Sequence, residues 1–155
     1  MYQRILLAVD GSHCAELAME QAIGLAKAGG GAVQAIFIAD DIDMLYDARY
    51  YDPGQMRREL EAWGEKVLAA TARRCEAAGV PCTTRLVTRP AAPGHFADSI
   101  VAEAEACGAD LLVLGTHGRR GLSRALMGSV AEGVVRKSRL PVLLVRSDSR
   151  QPAAA

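Results

Sequence analysis

The sequence predicts an α/β fold, with helices packed on both sides of a parallel β-sheet. Three features point there. Short apolar runs alternate with longer helical stretches along the whole chain. The runs are continuous, as in strands buried on both faces, and do not alternate apolar with polar. Several end in glycine, proline or a short polar residue just before a helical pattern. Strict strand–helix alternation implies a parallel sheet with right-handed crossovers.

Taken in order, Ile5-Leu6-Leu7-Ala8-Val9 reads as the first strand, broken by Asp10-Gly11-Ser12. Ser12 is the expected N-cap of a helix over 13–28, rich in alanine, leucine and glutamate and closed by Gly29-Gly30-Gly31. Residues 32–39 form the second expected strand, with Val33, Ile36, Phe37 and Ile38. An acidic, tyrosine-bearing connection over 40–55 follows, containing Pro53-Gly54. It reads as a surface loop, with a lid carrying Tyr46, Tyr50 or Tyr51 as the alternative. A helix over 55–78 comes next, with Leu60, Trp63, Val67 and Ala70 on its apolar stripe. Trp63 is therefore expected in the core.

The third strand is expected over 83–88 and is broken by Pro90 and Pro93. A helix over 94–107 carries Phe96, Ile100, Val101 and Ala104 on one face and stops at Gly108. The fourth strand, 110–114, runs into a glycine-rich stretch, and a helix is expected over 124–137. The fifth strand is Pro141-Val142-Leu143-Leu144-Val145. Residues 1–147 read as one domain and 148–155 as a disordered tail, polar and alanine-rich.

Composition narrows the function. Lys plus Arg and Asp plus Glu both number 18, so the net charge is zero and gives no global pull toward nucleic acid or anionic lipid. The apolar runs are too short to span a membrane, and the first residues enter a strand pattern directly, so the expected location is cytoplasmic. Cys14, Cys75, Cys82 and Cys107 form no C-x-x-C pair and read as buried structural thiols. Charge is nonetheless uneven: residues 40–65 are net acidic, while 116–139 are net basic and overlap the glycine stretch. That basic segment lacks the interleaved aromatics of a nucleic-acid surface.

The glycine stretch carries the functional signal. Gly115, Gly118, Gly128 and Ser129 follow the fourth strand and lead into a helix. Glycines let a backbone approach phosphate closely, and helix N-terminal N–H groups favour an anion. The spacing is neither a Walker A loop, which needs a Gly-Lys pair, nor the dinucleotide fingerprint. In open parallel sheets, ligands bind beyond the carboxyl ends of strands where strand order reverses. If the first and fourth strands are neighbours, Asp10-Gly11-Ser12 and the glycine loop line one crevice.

Four separated blocks resemble the universal stress protein family. They are Val9-Asp10-Gly11-Ser12; Ala109-Asp110-Leu111-Leu112-Val113-Leu114-Gly115-Thr116-His117-Gly118; Gly128-Ser129-Val130-Ala131-Glu132; and Pro141-Val142-Leu143-Leu144-Val145. The Gly-x2-Gly-x9-Gly-Ser spacing resembles that family's ATP-binding branch. The resemblance implies a three-layer, Rossmann-like α/β/α sandwich on a five-stranded parallel sheet of order 3-2-1-4-5, similar to the adenine nucleotide alpha hydrolases. It also implies ATP as ligand, with Mg²⁺ or Mn²⁺ on the phosphates, and a homodimer joined through the fifth strands.

Carried over residue by residue, the resemblance implies that Ala8 and Val9 lead into the site and that Asp10 contacts the adenosine half. Ile38 would touch adenine through its backbone. Gly115, Thr116 and Gly118 would border ribose and phosphates. Gly128, Ser129 and Val130 would hold the phosphate chain through N–H groups and the Ser129 hydroxyl. His117 and Arg119 lie within the loop and could meet phosphate, with Arg120 and Arg124 weaker candidates. His13 and His95 read as surface or helix-end residues.

Function divides between an ATP-binding regulatory module in stress survival, a slow ATPase at the same site, and a dimeric scaffold without nucleotide. Fast phosphoryl transfer wants a metal-holding acid, a water-positioning group and a charge-neutralising cation. Only Asp10, His117 and Arg119 are candidates, and the motifs of adenylyl-transferring folds are absent. The loop is better equipped to hold a triphosphate than to cut it.

Overall fold

The computed structural model describes residues 1–40, 52–118 and 127–147. Within them the chain alternates strand and helix: β1 (Arg4–Ala8), α1 (His13–Gly29), β2 (Ala32–Ile38), α2 (Pro53–Ala77), β3 (Cys82–Val87), α3 (Phe96–Ala106), β4 (Leu111–Gly115), α4 (Ser129–Lys137) and β5 (Val142–Val145). All strand pairs are parallel, and the sheet order is β3-β2-β1-β4-β5. The expected architecture is therefore the observed one, with β1 and β4 side by side at the centre.

Each central strand feeds two cores because successive side chains point to opposite faces. Ile5, Leu7, Val9, Val33, Phe37, Leu111 and Val113 pack with Ala18, Met19, Ala22 and Ile23 of α1 and with Leu60 and Leu68 of α2. Leu6, Ile36, Leu112 and Leu114 pack on the other side with Ile100 and Ala104 of α3 and Ala131 and Val134 of α4. Leu6, Leu7, Leu112 and Val113 are fully enclosed, which explains why the runs carry no polar residue. On the first face Cys75 is buried, and burial pushes its thiol up to about 12.

Helix ends follow local chemistry. Ser12 caps α1 by accepting from the Ala15 N–H at 3.2 Å, and Gly30 ends the helix with φ +66°. The start of α2 differs from the expectation. Asp52 caps it by accepting from the Gly54 N–H at 3.0 Å, so Pro53-Gly54 belongs to the helix. Proline suits a first helical turn, whose N–H groups have no intrahelical partner.

Two further expectations are corrected. The buried stripe of α2 is Leu60, Gly64, Leu68, Thr71 and Cys75. Trp63 is 41% exposed, Ala70 is exposed and Val67 is only partly buried. The stripe runs one position along because Gly64 packs directly on Phe37 and Leu86: a Cβ there would lie 2.6 Å from each. In α4, Met127 and Gly128 precede the helix. Gly128 is its N-cap, in extended geometry with φ −62° and ψ 153°. Residues 119–126, including the expected first residues of this helix with Arg119, Arg120 and Arg124, lie outside the described residues, as do Tyr46, Tyr50 and Tyr51 and the tail 148–155.

Candidate nucleotide site

Register brings the two loops together. Ile5, Leu6 and Leu7 of β1 pair with Leu111, Leu112 and Val113 of β4, so both strands open at the same edge. Just past β1, the Asp10 carboxylate accepts from the Ser12 N–H at 2.9 Å, closing a tight turn around Gly11, whose φ is +81°. That left-handed conformation disfavours any residue with a Cβ. The Ser12 hydroxyl reaches the His117 carbonyl at 3.5 Å. The two strand-end loops thus touch each other directly.

The three glycines of the motif do not have positive φ; each makes room for a particular neighbour. A Cβ on Gly115 would lie 2.7 Å from Cys14 Cβ and 2.9 Å from its backbone carbonyl carbon, so this glycine lets α1 start close against β4. A Cβ on Gly118 would lie 2.9 Å from the second Asp10 carboxylate oxygen. A Cβ on Gly128 would lie 2.7 Å from the Thr116 carbonyl oxygen, which accepts from the Gly128 N–H at 2.8 Å. That bond ties the start of α4 to the end of β4, and the Thr116 N–H donates to the Val145 carbonyl at 2.9 Å on the other side.

Thr116 is buried and its hydroxyl lies 3.0 Å from His117 Nδ1. Gly128 has no side chain to cap α4, so its N-cap position gives the first-turn N–H groups no side-chain bond. Ser129 is exposed beside them. The site residues therefore fall into two kinds. Asp10, Gly118, Thr116, His117, Gly128 and Ser129 surround the meeting point of the loops. Ala8, Ile38 and Val130 are each partly buried and pack against the core on the α3–α4 side. Val9 is buried on the opposite face, and its N–H donates to the Ile36 carbonyl at 3.0 Å. Its side chain is thus core, leaving only its carbonyl near the loop. Arg119 lies outside the described residues.

The structure adds residues that sequence reasoning did not select. A groove of about 290 Å³ runs between the start of α3 and the length of α4, lined by Gly94, His95, Phe96, Ser129, Val130 and Lys137 among others. His95, expected to be an ordinary helix-end residue, is indeed the α3 N-cap, but it also lines this groove with Ser129. Gly133 allows the helices to close below it, since a Cβ there would lie 2.7 Å from Ala97 Cβ. The loop leading into α3 is pinned twice. Buried Asp40, just past β2, accepts from the Gly94 N–H at 2.6 Å. The fully buried Ser99 hydroxyl meets both the N–H and the carbonyl of Ala92, at 3.3 and 3.2 Å. The signal for Asp40 was a carboxylate directly after a buried strand, the same signal that marked Asp10. Among the described residues no group of three His, Cys, Asp or Glu is placed to hold a metal ion, and no helix is long and apolar enough to cross a membrane.

Comparison with known proteins bears on this geometry. The family model described as "Universal stress protein family" matches residues 1–146. Universal stress protein MJ0531 of Methanocaldococcus jannaschii is 32% identical over 151 residues, covering 97% of this chain and 86% of the relative. Among solved structures, hypothetical protein MJ0577 superposes with a TM-score of 0.79 at 26% identity, covering 95% of this chain and 97% of that one. A universal stress protein solved in complex with cAMP superposes with a TM-score of 0.64 at 26% identity, covering 94% and 97%.

Proposed function

The chain belongs to the universal stress protein family, and from that membership we propose that it is an ATP-binding regulatory module of the stress response. One observation carries the reading. The Asp10–Ser12 turn, the loop from Gly115 to Gly118 and the side-chain-uncapped start of α4 converge at one sheet edge. Such a crevice offers a carboxylate for ribose hydroxyls and a row of backbone donors for phosphate. The cAMP complex of a related protein supports an adenine nucleotide as the ligand class.

In this reading Asp10 accepts hydrogen bonds from the ribose. The base lies toward Ile38, with Ala8 and Val9 supporting the strand end. Gly115, Thr116 and Gly118 border the sugar and phosphates. Gly128, Ser129 and Val130 receive the phosphate chain, with His117 and Arg119 as flanking contacts. Mg²⁺ or Mn²⁺ would arrive on the triphosphate, since such ions usually pair one or two carboxylates with substrate phosphates. Occupancy would act on a homodimer joined through β5, the edge strand of the sheet, which offers Val142, Leu143 and Leu144 for pairing.

The test is direct. Protein purified without added nucleotide is denatured and its supernatant assayed for adenine nucleotides, and ATP is then titrated into nucleotide-free protein by calorimetry. Bound ATP, or saturable binding with one site per chain, is the expected result. No bound nucleotide together with no heat of ATP binding would remove this reading. Recovery of ADP alone would shift it toward turnover.

A further inference from the structure

Trp63, the chain's one tryptophan, stands on α2 outside the buried stripe and is 41% exposed. Its buried part meets the candidate site. A Cβ placed on Gly11 would lie 2.7 Å from Trp63 Cζ2 and 3.2 Å from Cε2, and 3.1 Å from Val67 Cγ2. The edge of the indole fills the space that a side chain at position 11 would occupy. Gly11 is the centre of the turn that Asp10 closes onto the Ser12 N–H. That turn is therefore held from two directions: by the indole and Val67 of α2, and by the loop after β4, where Asp10 approaches Gly118 and Ser12 meets the His117 carbonyl.

We propose that Trp63 is a positioning residue for the crevice: packed on Gly11, its indole holds the Asp10–Ser12 turn and so sets where the Asp10 carboxylate is presented. This rests on the nucleotide reading above for its consequence, though not for its geometry. The physical reason for an aromatic here is reach and stiffness. A flat ring on two rotatable bonds covers a large area at low entropic cost. A glycine turn has no side chain of its own to limit its motion, and on that side the indole makes the nearest approach to it, with Val67 beside it. Removing the ring leaves the turn with its internal Asp10 bond, the Ser12 cap on α1, its contacts to the β4 loop and Val67 alone on the α2 side.

The experiment uses the full chain and the variants Trp63→Phe, Trp63→Ala and Asp10→Asn, with the double variant Trp63→Ala/Asp10→Asn. Amide hydrogen exchange at Ser12 is followed by NMR without nucleotide, with Leu6 in β1 as the internal reference for global unfolding. Ser12 exchange is expected to rise about tenfold in Trp63→Ala, with Leu6 unchanged, and to stay within about twofold of wild type in Trp63→Phe. ATP affinity should fall about tenfold in Trp63→Ala and be restored by Trp63→Phe. The loss should largely vanish when Trp63→Ala is introduced into Asp10→Asn, as expected for residues that act through one another. Unchanged Ser12 exchange in folded Trp63→Ala overturns the proposal, and so do fully additive losses. Should the wild type bind no ATP, the nucleotide reading fails by itself, and Ser12 exchange alone still decides whether Trp63 sets the turn.

Discussion

At the end of β1 the crevice is built from side chains: Asp10 closes the turn, Ser12 caps α1, and Trp63 packs on Gly11. Across from it, between the end of β4 and the start of α4, it is built from side chains that are missing. Gly115, Gly118 and Gly128 each stand where a Cβ would collide with Cys14, Asp10 or the Thr116 carbonyl. The two halves therefore tolerate change differently. A side-chain contact can be deleted one atom group at a time. At Gly115 and Gly128 the approach is lost as soon as any side chain enters, because the colliding atoms belong to the first turn of α1 and to the Thr116 backbone; at Gly118 the colliding atom is the Asp10 carboxylate, which has to move.

The strongest challenge to this contrast is Gly128→Val. The side chain runs into the Thr116 carbonyl and must push α4 away from β4. ATP affinity is expected to fall at least about 100-fold, or about 2.7 kcal/mol, with stability reduced by about 1–3 kcal/mol through overpacking. Calorimetry and urea unfolding check the two effects separately, and a folded variant with wild-type affinity would place the phosphates elsewhere.

Gly115→Ala separates a glycine needed for packing from one needed for ligand. Its Cβ presses on Cys14, including backbone atoms, in the first turn of α1. Stability should fall by about 1–3 kcal/mol, while ATP affinity in the folded fraction changes by less than about threefold, or 0.7 kcal/mol. Gly115 would border the nucleotide through its backbone only, so a larger loss of affinity than of stability would mean that its Cβ position also faces the ligand.

On the side-chain half, Asp10→Asn keeps an oxygen for the Ser12 N–H but removes the charge. Affinity should drop about tenfold, or 1.4 kcal/mol, with unfolding free energy within about 0.5 kcal/mol of wild type. A fall in stability without a fall in affinity would reduce Asp10 to a turn-former. The smallest effect is expected for Ser129→Ala, since its backbone N–H remains at the start of α4. Less than about a threefold change in ATP affinity should be measured by calorimetry; a tenfold loss would show that the hydroxyl, not the backbone, dominates.

Much of this architecture is legible in the residues themselves. Continuous apolar runs such as Ile5–Ala8 and Leu111–Leu114 have no reading other than buried segments, and the capping residues Ser12 and Gly30 mark helix ends through purely local bonds. What failed was the phase and the start of helices. The buried stripe of α2 lies one residue along from the expected one because Gly64, which brings no side chain to a core, is where the helix packs on Phe37 and Leu86. The start of α4 was placed early because nothing local to 124–128 announces that Gly128 will be drawn out into an extended cap by Thr116. Asp40, Ser99 and the groove between α3 and α4 were missed for the same reason: their partners lie in other elements.

The sequence by itself determined the strand–helix alternation, the parallel sheet, and the residue types able to receive a nucleotide, because period, capping and glycine placement act over a few neighbouring residues. Only the tertiary structure decided what each glycine is for and which way Trp63 faces. Those depend on elements far apart in the chain coming so near that an added Cβ would lie 2.6 to 3.2 Å from a neighbouring atom. At that range a single Cβ determines whether two backbones can meet.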